Sequence, residues 1–370
     1  MSTNPLKSLH ALGQSIWYDN ITRAMLREGE LARMVEEDDL AGVTSNPTIF
    51  EKAITSSADY DASIEAAAQA HPDWDTAELF NYVAVEDIRA AADVLRPVYD
   101  RTAGHDGMVS IEVSPALAQD TEGTLAEARK LHAWLDRPNV MIKVPATRAG
   151  IPAIEALIAD GINVNVTLLF SVERYIEVAE AFIRGLEKRA AQGLPLERVA
   201  SVASFFVSRV DTAVDAQLGA DSPLRGKAAI ANARLAYRRF QELFGSERFA
   251  ALRARGAQVQ RLLWASTGTK NPEYSDVLYV EELIAPETVN TVPPATYEAY
   301  KDHGQPQARL LDGLEGAEDI LKQVEAAGVD LPAITERLEI EGVDAFVKSY
   351  NNLLQALAQK LEKLREQRPA

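Results

Sequence analysis

Asn139-Val140-Met141-Ile142-Lys143-Val144-Pro145-Ala146-Thr147 is a short, largely apolar run interrupted by a single cation. Read as an extended strand, it points Val140, Ile142 and Val144 to one side and Met141 and Lys143 to the other. Pro145 cannot donate to a ladder, so the strand is expected to stop about there, leaving Lys143 near its carboxyl end. Lysine is almost never buried without a reason. Here it either snorkels to the surface from the strand end or serves as an amine nucleophile that forms a Schiff base with a substrate carbonyl. The neighbouring strands bear on that choice.

Working outward, extended segments recur along the chain. Residues 15–19, 40–47, 108–113, 162–168, 199–206 and 259–266 read as further strands, and an eighth is expected near 288–292, before Pro293-Pro294. Helical spacing separates them: over 21–33, through most of 48–100 with Ala-rich segments at 62–70 and 84–95, over 121–135, 150–159 and 171–191, and after 206 to about 254. Strands alternating with helices argue for βαβ units in a parallel sheet. Eight of them suggest a closed (β/α)8 barrel, a TIM barrel, rather than an open sheet. No glycine-rich phosphate loop follows the first strand, which argues against a dinucleotide-binding or P-loop fold. No repeat or low-complexity linker divides the chain, so residues 1–370 read as a single barrel domain. Residues 303–370 continue it as a helical C-terminal extension packed on the barrel, ending in the charged stretch Lys360 to Arg368.

A parallel strand covered on both faces should be almost continuously apolar. These strands instead carry polar residues on one parity. Trp17 and Asp19 share a face, as do Gly42, Thr44 and Asn46, while Ser110 and Glu112 oppose Val109, Ile111 and Val113. Asn163, Asn165 and Thr167 oppose Ile162, Val164, Val166 and Leu168; Ser204 falls with Phe206, and Leu262 with Trp264 and Ser266. With the apolar parity against the outer helices, the polar parity faces the barrel axis. Inward Asp, Asn, Glu, Lys, Thr and Ser build a poor core but suit an active site at the carboxyl ends of the strands, where barrel enzymes keep theirs. A satisfied internal hydrogen bond explains any single Asn or Thr among them equally well.

Composition narrows the partners. The chain has 370 residues, 47% hydrophobic and 25% charged, enough to bury a large core. It has no cysteine, which excludes a disulfide framework, a thiolate zinc site and cysteine catalysis. With 38 basic and 55 acidic residues the formal charge is −17, a poor match to nucleic acid or an anionic membrane. No apolar run reaches bilayer length, and Met1 to His10 lack the apolar core of a secretory signal, so a cytoplasmic location is expected.

An unperturbed lysine is almost entirely protonated near pH 7. Burial favours the free amine that imine formation requires, whereas carboxylates such as Asp19 and Glu112 favour the ammonium. Desolvation or proton relay is therefore expected to matter more than charge repulsion. Two carboxylates near one amine fit such a relay: a proton moves to and from a carbinolamine, and carbon–carbon cleavage needs a base at a substrate hydroxyl. A buried salt bridge to Lys143 explains the same carboxylates. Arg209 follows the sixth strand and Lys270 the seventh, near Ser204 and Ser266. Loops after late barrel strands often hold a phosphate; each cation alone also fits an ordinary surface charge.

Three segments carry a family resemblance. Gly42-Val43-Thr44-Ser45-Asn46-Pro47-Thr48-Ile49-Phe50 resembles the first signature of the transaldolases. Ile142-Lys143-Val144-Pro145-Ala146-Thr147 through Gly150-Ile151 resembles their second, which contains the Schiff-base lysine. Gly161-Ile162-Asn163-Val164-Asn165-Val166-Thr167-Leu168-Leu169-Phe170-Ser171 is similar to the family's next strand. The resemblance runs from about Ser15 to about Pro294, and the length and helical tail look like the longer bacterial subgroup.

The resemblance implies a barrel of the class I aldolase type. Such an enzyme moves a dihydroxyacetone unit from a ketose phosphate, such as sedoheptulose 7-phosphate or fructose 6-phosphate, to an aldose phosphate. The protonated imine is the electron sink, and no metal or organic cofactor is implied. By position, Lys143 would be the nucleophile, Asp19 the acid/base for carbon–carbon cleavage, and Glu112 with Thr167 the holders of a proton-shuttling water. Asn46, Asn165 and Ser204 would bind the hydroxyls of the three-carbon fragment, with Thr44 supporting Asn46 and Phe206 shaping the pocket. Arg209 would grip phosphate. The family's second arginine often lies in a short Ala-Ser-x-Arg segment. Here Ala265-Ser266-Thr267-Gly268-Thr269-Lys270-Asn271 is longer and carries lysine, a point charge rather than a bidentate fork. The implied partners are sugar phosphates, without nucleic acid or membrane, and the implied assembly is a monomer or homodimer. Two alternatives share the fold: a class I aldolase that cleaves fructose 6-phosphate and releases dihydroxyacetone, and a non-catalytic sugar-phosphate-binding barrel.

Overall fold

The computed structural model describes residues 4–366, so the end of the charged stretch Lys360 to Arg368 and the first three residues of Met1 to His10 lie outside the described residues. Eight strands, β1 (Gln14–Tyr18), β2 (Gly42–Val43), β3 (Met108–Glu112), β4 (Val140–Pro145), β5 (Val164–Leu169), β6 (Ser201–Phe206), β7 (Gln260–Ala265) and β8 (Thr288–Val292), close into a barrel in chain order. Every neighbouring pair is parallel, and β1 closes the ring on β8 from Gln14↔Thr288 to Tyr18↔Val292. Helices connect the strands, which makes this the (β/α)8 barrel that the alternation predicts. Beyond it the chain adds Arg309–Asp312, Ala317–Ala326 and a C-terminal helix, Leu331–Glu366.

Register builds the interior. Glu112 pairs with Lys143, and Lys143 with Asn165, so a carboxylate, an ammonium and an amide stand side by side on three consecutive strands. β2 is shorter than its expected span of 40–47. Gly42 lies under the Trp17 indole, where a Cβ would come within 2.5 Å of the ring, so the strands approach closely there. The chain then leaves the ladder because Asn46 caps the next helix, accepting from Ile49 N at 3.0 Å, with Pro47 at the first helical position.

The seventh strand departs from the expected facing. Phe205 pairs with Trp264 and Ser204 with Leu263, so Trp264 shares the outer face with Phe205, and the inward residues of β7 are Arg261, Leu263 and Ala265. The Trp264 indole donates outward to Leu283 O at 2.9 Å. Ser266 still reaches the barrel mouth because its φ of 54° breaks the alternation just past the strand. β5 is irregular too: its pairing with β6 shifts between Val166 and Leu169, at Leu168 with φ 61°.

The amino end of the barrel is closed by charge. Arg261 donates to Ser15 Oγ at 2.7 Å, to Asp106 Oδ1 at 2.9 Å and to His105 O at 2.6 Å. Ser15 Oγ and Trp17 Nε1 donate to the same Asp106, at 2.6 and 3.1 Å. Burial works against the Asp106 carboxylate, but Arg261 and Ser15 together hold its pKa below the ordinary value. Arg261→Ala is expected to cost about 3–5 kcal/mol of stability, because it strands a buried carboxylate. A pKa held low stabilises the fold above the unfolded value and loses that effect as pH falls through the folded one. Urea melts of both proteins should therefore differ most near neutrality and converge in acid.

Candidate active site

Lys143 stands at the carboxyl end of β4, and its side chain is 7% exposed. Its Nζ donates to Ser45 O at 2.9 Å and lies 3.2 Å from Glu112 Oε2, whose side chain is 4% exposed. Asp19 follows β1 and keeps part of its surface open to the cavity above Lys143. Thr44 Oγ1 donates to Asp19 Oδ1 at 2.7 Å and lies 2.6 Å from Thr291 Oγ1. Burial pushes both carboxyls above their ordinary pKa, more than the Lys143 ammonium pulls them down; Thr44 also lowers Asp19, and Asp19 further raises Glu112. The site thus holds one cation and two reluctant anions, a set that exchanges protons readily.

A cavity of about 200 Å³ opens over this cluster. Its walls include Asp19, Thr44, Asn46, Lys143, Thr167, Ser204, Phe206, Arg209, Ser266 and Lys270. Because Asn46 Oδ1 is committed to the helix cap, its amide N–H groups are the part left for a ligand. Ser204 Oγ donates to Asn165 Oδ1 at 2.7 Å, and Asn165 Nδ2 donates to Ser110 Oγ at 3.1 Å. Thr167 Oγ1 is buried without a hydrogen bond among the described residues. An orphaned hydroxyl beside an amine suits a proton-shuttling role.

The other end of the cavity is cationic. Arg209 opens the helix Ser208–Asp215 after β6; its guanidinium lies 5.2 Å over the Phe206 ring, and burial lowers its pKa. It makes no ion pair or hydrogen bond among the described residues, and neither does Lys270, which is exposed on the cavity lip. Arg209's helix is locked to the Lys270 segment: Ser208 N donates to Ser266 O at 3.0 Å, Tyr279 to Asp211 at 2.8 Å and Tyr274 to Asp215 at 2.6 Å. Burial pushes Asp211 up to about 6. Two cations on one cavity, with no carboxylate paired to either among the described residues, suit an anion. Among the described residues, no group of three or more His, Cys, Asp or Glu is placed to hold a metal ion.

Ten of the twelve residues singled out from sequence line the cavity; Glu112 and Asn165 stand behind the wall, touching Lys143 and Ser204. Five further wall residues were not singled out: Ala265 and Gly268 from the Lys270 segment, and Thr291, Pro293 and Phe346. Thr291 and Pro293 lie on and just after β8, whose parity carries the signal: Thr291 pairs with the inward Trp17. Phe346 comes from the C-terminal helix, far along the chain. Its one local cue is Gly342, a poor helix former in mid-helix.

The sequence matches known proteins over nearly its full length. The family model described as Transaldolase/Fructose-6-phosphate aldolase matches residues 16–357. A protein of Thermobifida fusca named Transaldolase is 50% identical over 364 residues, 97% of this chain and 98% of that one. Transaldolase of Saccharopolyspora erythraea is 49% identical over 367 residues, covering 98% and 99%, and Transaldolase 2 of Nostoc punctiforme is 47% identical over 384 residues, also 98% and 99%. The chain belongs to the transaldolase/fructose-6-phosphate aldolase family.

The raised Asp19 carboxyl has a consequence for stability. A carboxyl whose pKa is higher in the folded state stabilises below its unfolded pKa, and that contribution is lost as pH rises through the folded one. Asp19→Asn is therefore expected to melt at a higher temperature than wild type near pH 7, the gap closing as pH falls towards about 4. Calorimetry across that range checks it.

Proposed function

We propose that this chain is a transaldolase acting in the non-oxidative branch of the pentose phosphate pathway. It transfers dihydroxyacetone from sedoheptulose 7-phosphate to glyceraldehyde 3-phosphate, giving erythrose 4-phosphate and fructose 6-phosphate. The observation that carries this reading is the Lys143 amine, buried against Glu112 and opening into a cavity whose other end holds Arg209 and Lys270, both unpaired among the described residues. Family membership supports it throughout.

In this reading Lys143 passes a proton to Glu112, whose raised pKa fits it to accept one, and the free amine adds to the ketose C2 carbonyl. Glu112 and Thr167 return the proton to the carbinolamine hydroxyl, which leaves as water. Asp19 then takes the proton of the C4 hydroxyl, and the C3–C4 electron pair flows into the iminium to leave an enamine. The shortened aldose phosphate departs. The enamine carbon next attacks the incoming aldehyde, Asp19 returns its proton to the new hydroxyl, and hydrolysis at C2 frees Lys143. Asn46 and Ser204 hold hydroxyls of the three-carbon fragment, with Asn165 orienting Ser204 from behind. Arg209 and Lys270 take the phosphate, supported by Ser266. A cytoplasmic location and a monomeric or homodimeric state belong to the same proposal.

Borohydride reduction in the presence of fructose 6-phosphate tests the covalent step. A three-carbon adduct is expected on the peptide containing Lys143 and not in Lys143→Ala. Folded wild-type protein without an adduct would replace this reading with a binding barrel. Release of dihydroxyacetone without any acceptor product would replace it with an aldolase. The anion site is tested separately by Arg209→Ala. Loss of one charged hydrogen-bond donor is expected to raise KM for a phosphorylated ketose about 10–100-fold and to leave the weak reaction of the unphosphorylated sugar nearly unchanged.

A further inference from the structure

The C-terminal helix Leu331–Glu366 crosses the barrel mouth and lowers one aromatic ring into the cavity. Phe346 is 6% exposed, with its ring centroid 6.0 Å from Lys143 Nζ. That distance is at the limit for a useful cation–π contact. The charge of Lys143 is in any case met by Glu112 and Ser45 O. What the ring supplies is apolar bulk over the amine, in a cavity whose walls at Asp19, Thr44, Asn46, Thr167 and Ser204 are polar.

The helix is fastened in that position along its length. Glu339 lies 3.3 Å from Arg174 near its start. At Gly342 the helix comes so close to β5 that a Cβ would fall 2.9 Å from Leu168 Cδ2 and 3.7 Å from Arg209 Nη1. Thr48 donates to Ser349 at 2.8 Å, Tyr350 packs edge-on to Phe80, and Lys360 donates to Ile54 O and Ser57 O at 2.9 and 2.6 Å. Thr48 lies two residues past Asn46, so the same helix that Asn46 caps also anchors this roof. A side chain held so firmly and buried over the reactive amine is placed to exclude solvent.

We propose that Phe346 is a specificity-determining residue that keeps bulk water away from the covalent intermediate and so sets the ratio of transfer to hydrolysis. The inference rests on the Lys143 reading above. Once the C3–C4 bond is broken, the enamine carbon has two fates. It attacks an aldehyde carbon, forming a new carbon–carbon bond while Asp19 gives its proton to the new alkoxide. Alternatively it takes a proton itself, water adds to C2, the C2–N bond breaks, and dihydroxyacetone leaves with Lys143 as free amine. The second fate needs solvent at the fragment before the aldehyde arrives, and Phe346 fills the space through which it would come.

The test is the ratio of free dihydroxyacetone to sedoheptulose 7-phosphate formed from saturating fructose 6-phosphate and a fixed concentration of erythrose 4-phosphate. This ratio is set within each active molecule, so a misfolded fraction lowers both products equally and leaves it unmoved. Phe346→Ala is expected to raise it about tenfold, a difference of about 1.4 kcal/mol between the competing barriers. Phe346→Leu, which keeps apolar bulk, should stay within about twofold of wild type. Phe346→Val, a milder truncation, should raise the ratio by an intermediate amount and serves if Phe346→Ala does not fold. An unmoved ratio in Phe346→Ala, or in Phe346→Val where it stands in, overturns the assignment, as does a Leu variant that leaks as much as the Ala one. If wild type transfers normally, such a result overturns only the role of Phe346. Wild type that neither transfers nor traps an adduct overturns the Lys143 reading and this inference together.

Discussion

Keeping one ammonium out of water beside two carboxylates is the constraint to which this barrel is built. Ser45 O and Glu112 meet the charge of the buried Lys143, and its ammonium in turn offsets part of the burial cost of Glu112 and Asp19. Each group alone would be expelled or neutralised. The parallel register fixes the arrangement, pairing Glu112 with Lys143 across β3 and β4, and Thr44 ties Asp19 to the cluster from the next strand pair. A stiff scaffold matters here because proton transfer tolerates little error in position.

The two ends of the same barrel treat buried charge in opposite ways. At the amino end, Asp106 accepts from Arg261, Ser15 and Trp17, and its pKa is held low. At the carboxyl end, Asp19 and Glu112 have fewer donors and are pushed up, and among the described residues Thr167 has an unmatched hydroxyl and Arg209 no anion. Ion-pair chemistry is similar at both; what differs is how completely each group is satisfied. The closed end fixes the strands, and the unsatisfied end retains groups able to act on something else.

Much of this was legible in the sequence. The strand–helix alternation carries the barrel, and one-sided polarity identifies the inward residues of six strands, because a period of two survives wherever the backbone stays extended. It fails on the seventh, where Ser266 turns left-handed and reaches the mouth from the parity of an outward Trp264. No local pattern announces that conformation in a serine. Asn165 was legible as inward but not as standing behind Ser204, since parity gives direction and not depth. Phe346 lay beyond either cue: its place over Lys143 follows from how a helix packs across the finished barrel, a long-range contact that periodicity cannot encode.

Asn46 shows how tightly architecture and chemistry are joined in the first half of the chain. Its side-chain oxygen starts the helix Pro47–Ser56 while its amide borders the cavity. Caps of this kind contribute about 0.5–2 kcal/mol, so variation at that position is penalised twice. The side chains of Lys270 and Phe346, by contrast, cap no helix and belong to no strand. Diversification among descendants of such a protein would therefore collect in these two outlying pieces, leaving an inherited reaction centre beneath a replaceable selectivity layer.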